Sequence, residues 1–257
     1  MAIKDDPLFD LAIITCKSTY NRVAGLLRNL HSLTNTGTVR HIYIVLQSDV
    51  GFINDEVFDE IHWDDHISKI APILALNIRE CLGINHGSLL SLIDHSSTIH
   101  FPSRLLKPSE RSLVWKHYNA LTKVSELPIL VLEDDAEFNE ACLLDLCISA
   151  RIALEKSLFV DLGIMPGMSS RGTRLVQNQF SYSMQLIACT RTTVASMWPP
   201  LIAQKIVESY WPCSLPADLH HQYLLSKLRV PGIWPTQSIF NHLSMPSSGR
   251  YASSIQN

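Results

Sequence analysis

Long apolar runs are missing from this chain. No stretch reaches the roughly 20 residues needed to cross a bilayer. Lys and Arg nowhere form a block, and the formal net charge is −3; a broad nucleic-acid surface is therefore not expected. No Asn-x-Ser/Thr acceptor occurs. Met1 to Asp10 carries three Asp and no apolar core, so a secretory signal is not expected there. Six cysteines (Cys16, Cys81, Cys142, Cys147, Cys189, Cys213) show no Cys-x-x-Cys spacing and stand mostly in apolar runs. Buried free thiols in a reducing, cytoplasmic compartment are the expectation. Also absent are Gly-x-Gly-x-x-Gly, the P-loop, His-Glu-x-x-His and Gly-x-Ser-x-Gly, so those dinucleotide, nucleotide, zinc and hydrolase motifs carry nothing here.

What is present is enough apolar material for a large core: 46% of 257 residues, a length that fits one large domain or two small lobes. Phe9 to Cys16 reads as a buried strand. A polar turn follows (Lys17 to Arg22), then a helical stripe at Val23, Leu26, Leu27, Leu30 and Leu33, then a second strand from His41 to Leu46. Strand, helix, strand at this spacing predicts a βαβ unit with parallel strands. The acidic, turn-rich stretch 51–66 reads as loop, with a short helix within it as an option. Residues 67–106 stay ambiguous, with a strand at Ile73 to Leu76 and a helix at Ser88 to Ile93 as options.

Ser109 to Glu126 is the clearest helix, capped by Ser109 with Glu110 in the first turn. Beyond it the pattern predicts a helix near Glu140–Lys156, a strand at Leu158–Leu162, a Gly-, Ser- and Arg-rich loop at 165–179, and a strand at Ser183–Cys189. A helix from Thr192 to Glu208, broken at Pro199-Pro200, and a short helix from Pro216 to Leu228 complete it. No internal repeat or clean domain boundary is visible, and no pattern sets an oligomeric state.

The densest chemistry lies at the end of a short apolar run, Pro128-Ile129-Leu130-Val131-Leu132, which stops in Glu133-Asp134-Asp135. Three adjacent carboxylates repel. A hard divalent cation bound through oxygen relieves that repulsion. Ligands of open α/β sheets bind just past the carboxyl ends of the strands. The triplet therefore suggests a metal site able to hold a phosphate-bearing substrate. Alternating residues of an extended segment point the same way, so Glu133 and Asp135 are expected to face one ligand together. A solvated acidic turn is the plainer alternative.

Several segments, in order, resemble the family-25 glycosyltransferases, which include lipooligosaccharide and collagen galactosyltransferases. They are Thr15 to Arg22, Trp115 to Leu121, Leu132 to Asp135, Pro216-Ala217-Asp218, and Ser238 to His242 with Ser247-Ser248. Three positions depart from the family pattern: Cys16-Lys17-Ser18 stands where the opening turn carries an Asp, Lys116 replaces a Ser before His117, and Ser109-Glu110-Arg111 replaces a Gly-rich helix start.

The resemblance implies a GT-A-like, Rossmann-like α/β fold: a single domain over 1–257 with a mostly parallel central sheet flanked by helices. Its nucleotide-sugar half would be about 1–140 and its acceptor half about 141–257. The implied activity is metal-dependent, inverting transfer from a UDP-sugar, galactose first, to a saccharide or glycolipid acceptor in lipopolysaccharide or glycan biosynthesis. The setting is cytoplasmic, with peripheral association at the inner membrane face left open. Mn²⁺ is the first cofactor and Mg²⁺ the second. Asp135 would hold the metal and Glu133 the metal or the ribose. His242 is a further metal ligand or else a partly buried loop residue. Asp218 is a general base for the acceptor hydroxyl or else a carboxylate favoured by the helix dipole.

Arg22 and Lys17 would contact diphosphate or base, or simply start a helix. His117 would contact the donor or else be a core residue. Arg171 and Arg174 are candidates to clamp the diphosphate, and Trp198, Trp211, Trp234 and Tyr210 to stack on sugars. Adjacent His220 and His221 diverge by about 100° on a helix and are read as surface residues rather than a metal pair. The alternatives are a nucleotidyl or phosphoryl transferase using the same acids, and a non-catalytic glycan- or nucleotide-binding homologue.

Overall fold

The computed structural model describes residues 6–16, 19–47, 77–82, 108–163, 173–177, 180–188, 190, 192–211, 213 and 215–243. The chain begins with β1 (Phe9–Cys16), α1 (Tyr20–Asn29), α2 (His31–Asn35), β2 (Val39–Gln47) and β3 (Asn77–Leu82). The middle comprises α3 (Pro108–Leu121), β4 (Ile129–Glu133), β5 (Ala136–Phe138), a 3-10 turn (Glu140–Cys142), α4 (Leu143–Lys156) and β6 (Phe159–Asp161). Then come β7 (Thr173–Gln177), β8 (Phe180–Gln185), β9 (Ala195–Trp198), α5 (Pro200–Ser209), α6 (Ala217–Lys227), β10 (Gly232–Pro235) and β11 (Phe240–His242).

Nine strands form one mixed sheet in the order β3-β2-β1-β4-β9-β6-β10-β8-β7. Its pairings leave seven strands pointing one way, with β8 and β9 against them. The mostly parallel α/β sheet expected from the sequence is the one observed. Alternation along the central strands feeds two cores. Phe9, Leu11 and Ile13 of β1 join Leu130 and Leu132 of β4 on the face covered by α1 and α4. Ala12 and Ile14 join Ile129 and Val131 on the face covered by α3, α5 and α6. Each large aliphatic buried this way contributes roughly 1.5–3 kcal/mol relative to exposure.

Several expected elements change. The helix read from Thr192 opens instead as β9, because a residue before proline is driven into extended backbone; Pro200 then starts α5. The predicted loop 165–179 contains β7, an edge strand paired antiparallel to β8. The helix over 109–126 begins at Pro108, so Ser109 is inside it, and it stops at Leu121. The helical stripe from Val23 to Leu33 is split at Leu30 into α1 and α2. Ile73 to Leu76 and Ser88 to Ile93 lie outside the described residues. Among those described, no helix is long and apolar enough to cross a membrane. Cys16, Cys142, Cys147 and Cys213 are free thiols.

Candidate functional site

The chain moves outward from β1 to β2 and β3, then returns to the other flank of β1 as β4. The C-terminal ends of β1 and β4 are therefore a topological switch point, where open α/β sheets bind ligands. The acidic triplet lies there, and strand parity divides it. Glu133 shares the side of Ile129 and Val131 and faces α3, where its Oε1 lies 3.2 Å from His117 Nε2. Asp134 takes the side of Leu132 and faces α1. Its Oδ2 accepts from Thr15 Oγ1 at 2.6 Å and also from Thr19 Oγ1. Its Oδ1 is 3.5 Å from Arg22 Nη1.

Asp135 lies in the turn beyond the strand. The antiparallel ribbon of β5 and β11 sets His242 opposite Ala136, and His242 Nε2 comes within 3.0 Å of Asp135 Oδ2. Leu243 N–H donates to the Asp135 carbonyl at 2.9 Å. The ribbon thus joins residues 107 apart in sequence.

Burial penalises both charged forms here. It pushes the Asp134 carboxyl above its usual value; the Thr15 and Thr19 hydroxyls oppose this, the Asp135 charge adds to it and Arg22 opposes it. Burial disfavours the His242 imidazolium as well. The bond to Asp135, with the charges of Asp135 and Glu133, outweighs burial and raises the His242 pKa above 6.5.

Asp218 is exposed in the first turn of α6. Thr190 Oγ1 donates to its carbonyl at 3.2 Å, and four residues on, the Val194 carbonyl accepts from Glu133 N–H at 2.9 Å. A short segment therefore links the α6 start to the end of β4. At the departure before His117, the buried Lys116 ammonium donates to the Thr15 carbonyl at 3.0 Å. Lys17, Arg171, Ser247 and Ser248 lie outside the described residues, and Arg174 falls within β7.

Two sequence expectations are corrected. His220 and His221 are not surface residues; they are 2% and 1% exposed. His220 Nε2 meets the Tyr210 carbonyl at 2.8 Å and His221 Nε2 the Tyr210 hydroxyl at 3.4 Å. Burial lowers the His220 pKa to about 4 and that of His221 well below its usual value. Trp198 and Tyr210 are wholly buried and Trp234 nearly so, so these rings pack the core and offer no face to a sugar. Trp211 is half-buried against Trp115 and Tyr118.

Sequence reasoning gave Asp134, Thr15 and Thr19 no role of their own. The available signal was the pair of hydroxyls flanking the turn after the first strand. Among the described residues, no three His, Cys, Asp or Glu side chains form a ready metal cage. Two acid–imidazole pairs stand there instead. Asp135 and His242 supply one oxygen and one nitrogen, a donor set Mn²⁺ accepts. Ions that bind phosphates commonly take one or two protein carboxylates, with substrate oxygens and water completing the shell. The pair fits that role.

No protein-family model matches the sequence, and no curated protein matches it. Among solved structures, the chain is similar to a UDP-glucose pyrophosphorylase complexed with UDP-glucose. That match has a TM-score of 0.52 and 7% identity, and covers 91% of this chain and 91% of that one. It is also similar to S. aureus TarS, residues 1–349, in complex with UDP-GlcNAc, with a TM-score of 0.49 and 12% identity over 97% of this chain and 60% of that one. At these identities the likeness is one of fold, and the pyrophosphorylase match carries it: this chain has the α/β architecture of an enzyme that binds a nucleotide sugar.

Proposed function

We propose that the protein is a metal-dependent, inverting glycosyltransferase that moves a sugar from a UDP-sugar to a saccharide acceptor. The observation that carries this reading is the Asp135–His242 pair beside Glu133 at the switch point of the sheet. The pyrophosphorylase, solved with UDP-glucose on the same fold, supports a sugar nucleotide as ligand. The resemblance to family-25 enzymes makes galactose the first donor sugar to try and a glycolipid, met at the inner membrane face, the first acceptor.

Breaking the bond from the anomeric carbon to the diphosphate puts charge on the leaving group. What a divalent ion held by Asp135 and His242, with Glu133 beside it, would supply is neutralisation of that charge as it develops. Arg22 adds a fixed positive charge on the α1 side, oriented by Asp134. Asp134 is itself held by the Thr15 and Thr19 hydroxyls. Lys17, which follows β1 in sequence, is a further candidate contact to the diphosphate or base. Asp218 is exposed and free to take the proton of the acceptor hydroxyl as it attacks. Attack opposite the leaving group inverts the anomeric centre.

The pyrophosphorylase likeness favours one second reading, nucleotidyl transfer at the same acids. A UDP-sugar panel with and without Mn²⁺, run beside UTP plus sugar 1-phosphates, separates the two. Metal-dependent release of UDP is expected. Pyrophosphate release from UTP would replace glycosyl transfer by nucleotidyl transfer. Binding without turnover would leave a non-catalytic homologue.

A further inference from the structure

His117 has no exposed surface. It stands on α3 between the acid at the end of β4 and the aromatic residues around α6. Its Nε2 meets Glu133 Oε1 at 3.2 Å, and its Nδ1 is buried with no hydrogen-bond partner among the described residues. The ring is blocked from behind. His221 lies edge-on to it with centroids 4.8 Å apart, and His221 is itself held edge-on to Trp198 at 5.1 Å.

These contacts select a tautomer. With hydrogen on Nε2, the imidazole donates to the carboxylate and leaves only a lone pair unmet at Nδ1. With hydrogen on Nδ1, a lone pair faces the carboxylate and a donor is buried unmet, which costs about 1–3 kcal/mol. The network therefore assigns the Nε2–H tautomer. Swinging Glu133 away would strand both ring nitrogens. The acid and the imidazole thus hold each other in place.

We infer that His117 is a positioning residue: locked by His221, it fixes one oxygen of Glu133 so that the other meets the nucleotide sugar or its cation in a single orientation. This rests on the reading of the site as a nucleotide-sugar site. It differs from a direct donor contact, for which His117 has no free surface.

The test combines ¹⁵N spectra of histidine-labelled protein with turnover of the best UDP-sugar. Turnover is compared across wild type, His117→Ala, His117→Asn and His117→Gln, each with its melting temperature. A glutamine amide nitrogen falls near the place of Nε2; an asparagine nitrogen falls near Nδ1. The Nε2–H signature is expected, and it should move on Glu133→Gln. In Ala and Asn variants kcat should fall about 10- to 100-fold, the range for groups that orient a ligand from behind. The donor KM should hold, and Gln should restore most of kcat. An Nδ1–H signature overturns the inference whether or not the variants fold. Undiminished kcat in a folded His117→Ala, or Asn rescuing as well as Gln, overturns the positioning role alone. A wild-type protein that turns over no donor, with the Nε2–H signature intact, overturns the functional reading and this role with it.

Discussion

Asp10 and Asp134 stand at opposite edges of the same strand pair, one at the start of β1 and one just past β4, and their surroundings differ in kind. Asp10 is wholly buried and grips Arg40 through two parallel bonds, Nε to Oδ1 at 3.0 Å and Nη2 to Oδ2 at 2.7 Å. Ser125 Oγ adds a third at 3.1 Å, and His41 Nδ1 lies 3.3 Å away. A bulge makes this possible. Phe9 pairs with Val39 and Leu11 with Ile42, so Arg40 and His41 both oppose Asp10. Arg40 also reaches Glu126. The Asp10 bond outweighs the burial penalty and raises the guanidinium pKa further, so this end is closed by a permanent cation.

At the other edge Asp134 meets Arg22. Glu133 and Asp135 instead meet ring nitrogens of His117 and His242, a side-chain type that can also ligate metals. The contrast sets an acid that holds the sheet against the acids to which the proposed function gives a ligand.

The sharpest way to break this contrast is at the ligand edge. Replacing both Glu133 and Asp135 by Ala should lower nucleotide release by at least about 10³-fold, with urea midpoints showing a folded protein. Undiminished turnover would sink the functional reading. At the closed edge, Asp10→Ala should cost about 1–3 kcal/mol in urea unfolding, because it removes the acceptor that Arg40 and Ser125 share, while turnover per folded molecule holds. Asp218→Asn should lower kcat about 10²-fold and leave donor affinity intact; equal loss in both would make Asp218 a binding residue instead.

The smallest effect concerns pH. The folded pKa of His242 is raised. Its stabilising contribution is therefore full below the ordinary value of 6.5 and is lost as pH rises through the raised one. In chelator, the melting temperature of wild type should drop more between about pH 6 and about pH 8 than that of His242→Gln. Because a metal displaces that proton, Mn²⁺ should raise the melting temperature more at the higher pH, and His242→Gln should abolish the difference.

The central sheet was legible where apolar runs are long. Phe9 to Cys16 and the run into Glu133 needed only composition and length. β9 was not legible, since four residues, Ala-Ser-Met-Trp, carry too little pattern to separate strand from helix without their neighbours β4 and β6. β7 is a polar edge strand whose alternation is weak, and it read as loop. The acidic cluster announced itself, but its division did not. Asp134 depends on Thr15 and Thr19, at separations of 119 and 115 residues. Nothing local to the triplet says which carboxylate turns to which helix. The two adjacent histidines of α6 misled because polar type suggested surface, whereas Tyr210 supplies both with buried partners.

The ribbon of β5 and β11 has a consequence for how the site comes together. Three residues a side make a pair too small to persist on its own. It is held by the Phe138–Phe240 ring contact at 5.3 Å, by the Asn29 side chain bonding both polar groups of the Phe138 backbone, and by Phe240 N–H donating to the Leu162 carbonyl. Fraying of this small unit would part acid from imidazole while the nine strands stayed intact. Under the proposed function, half of the cation's hold would rest on this small unit, so amide exchange at Asn241 and His242 should outpace that at Val131 and slow when Mn²⁺ is added.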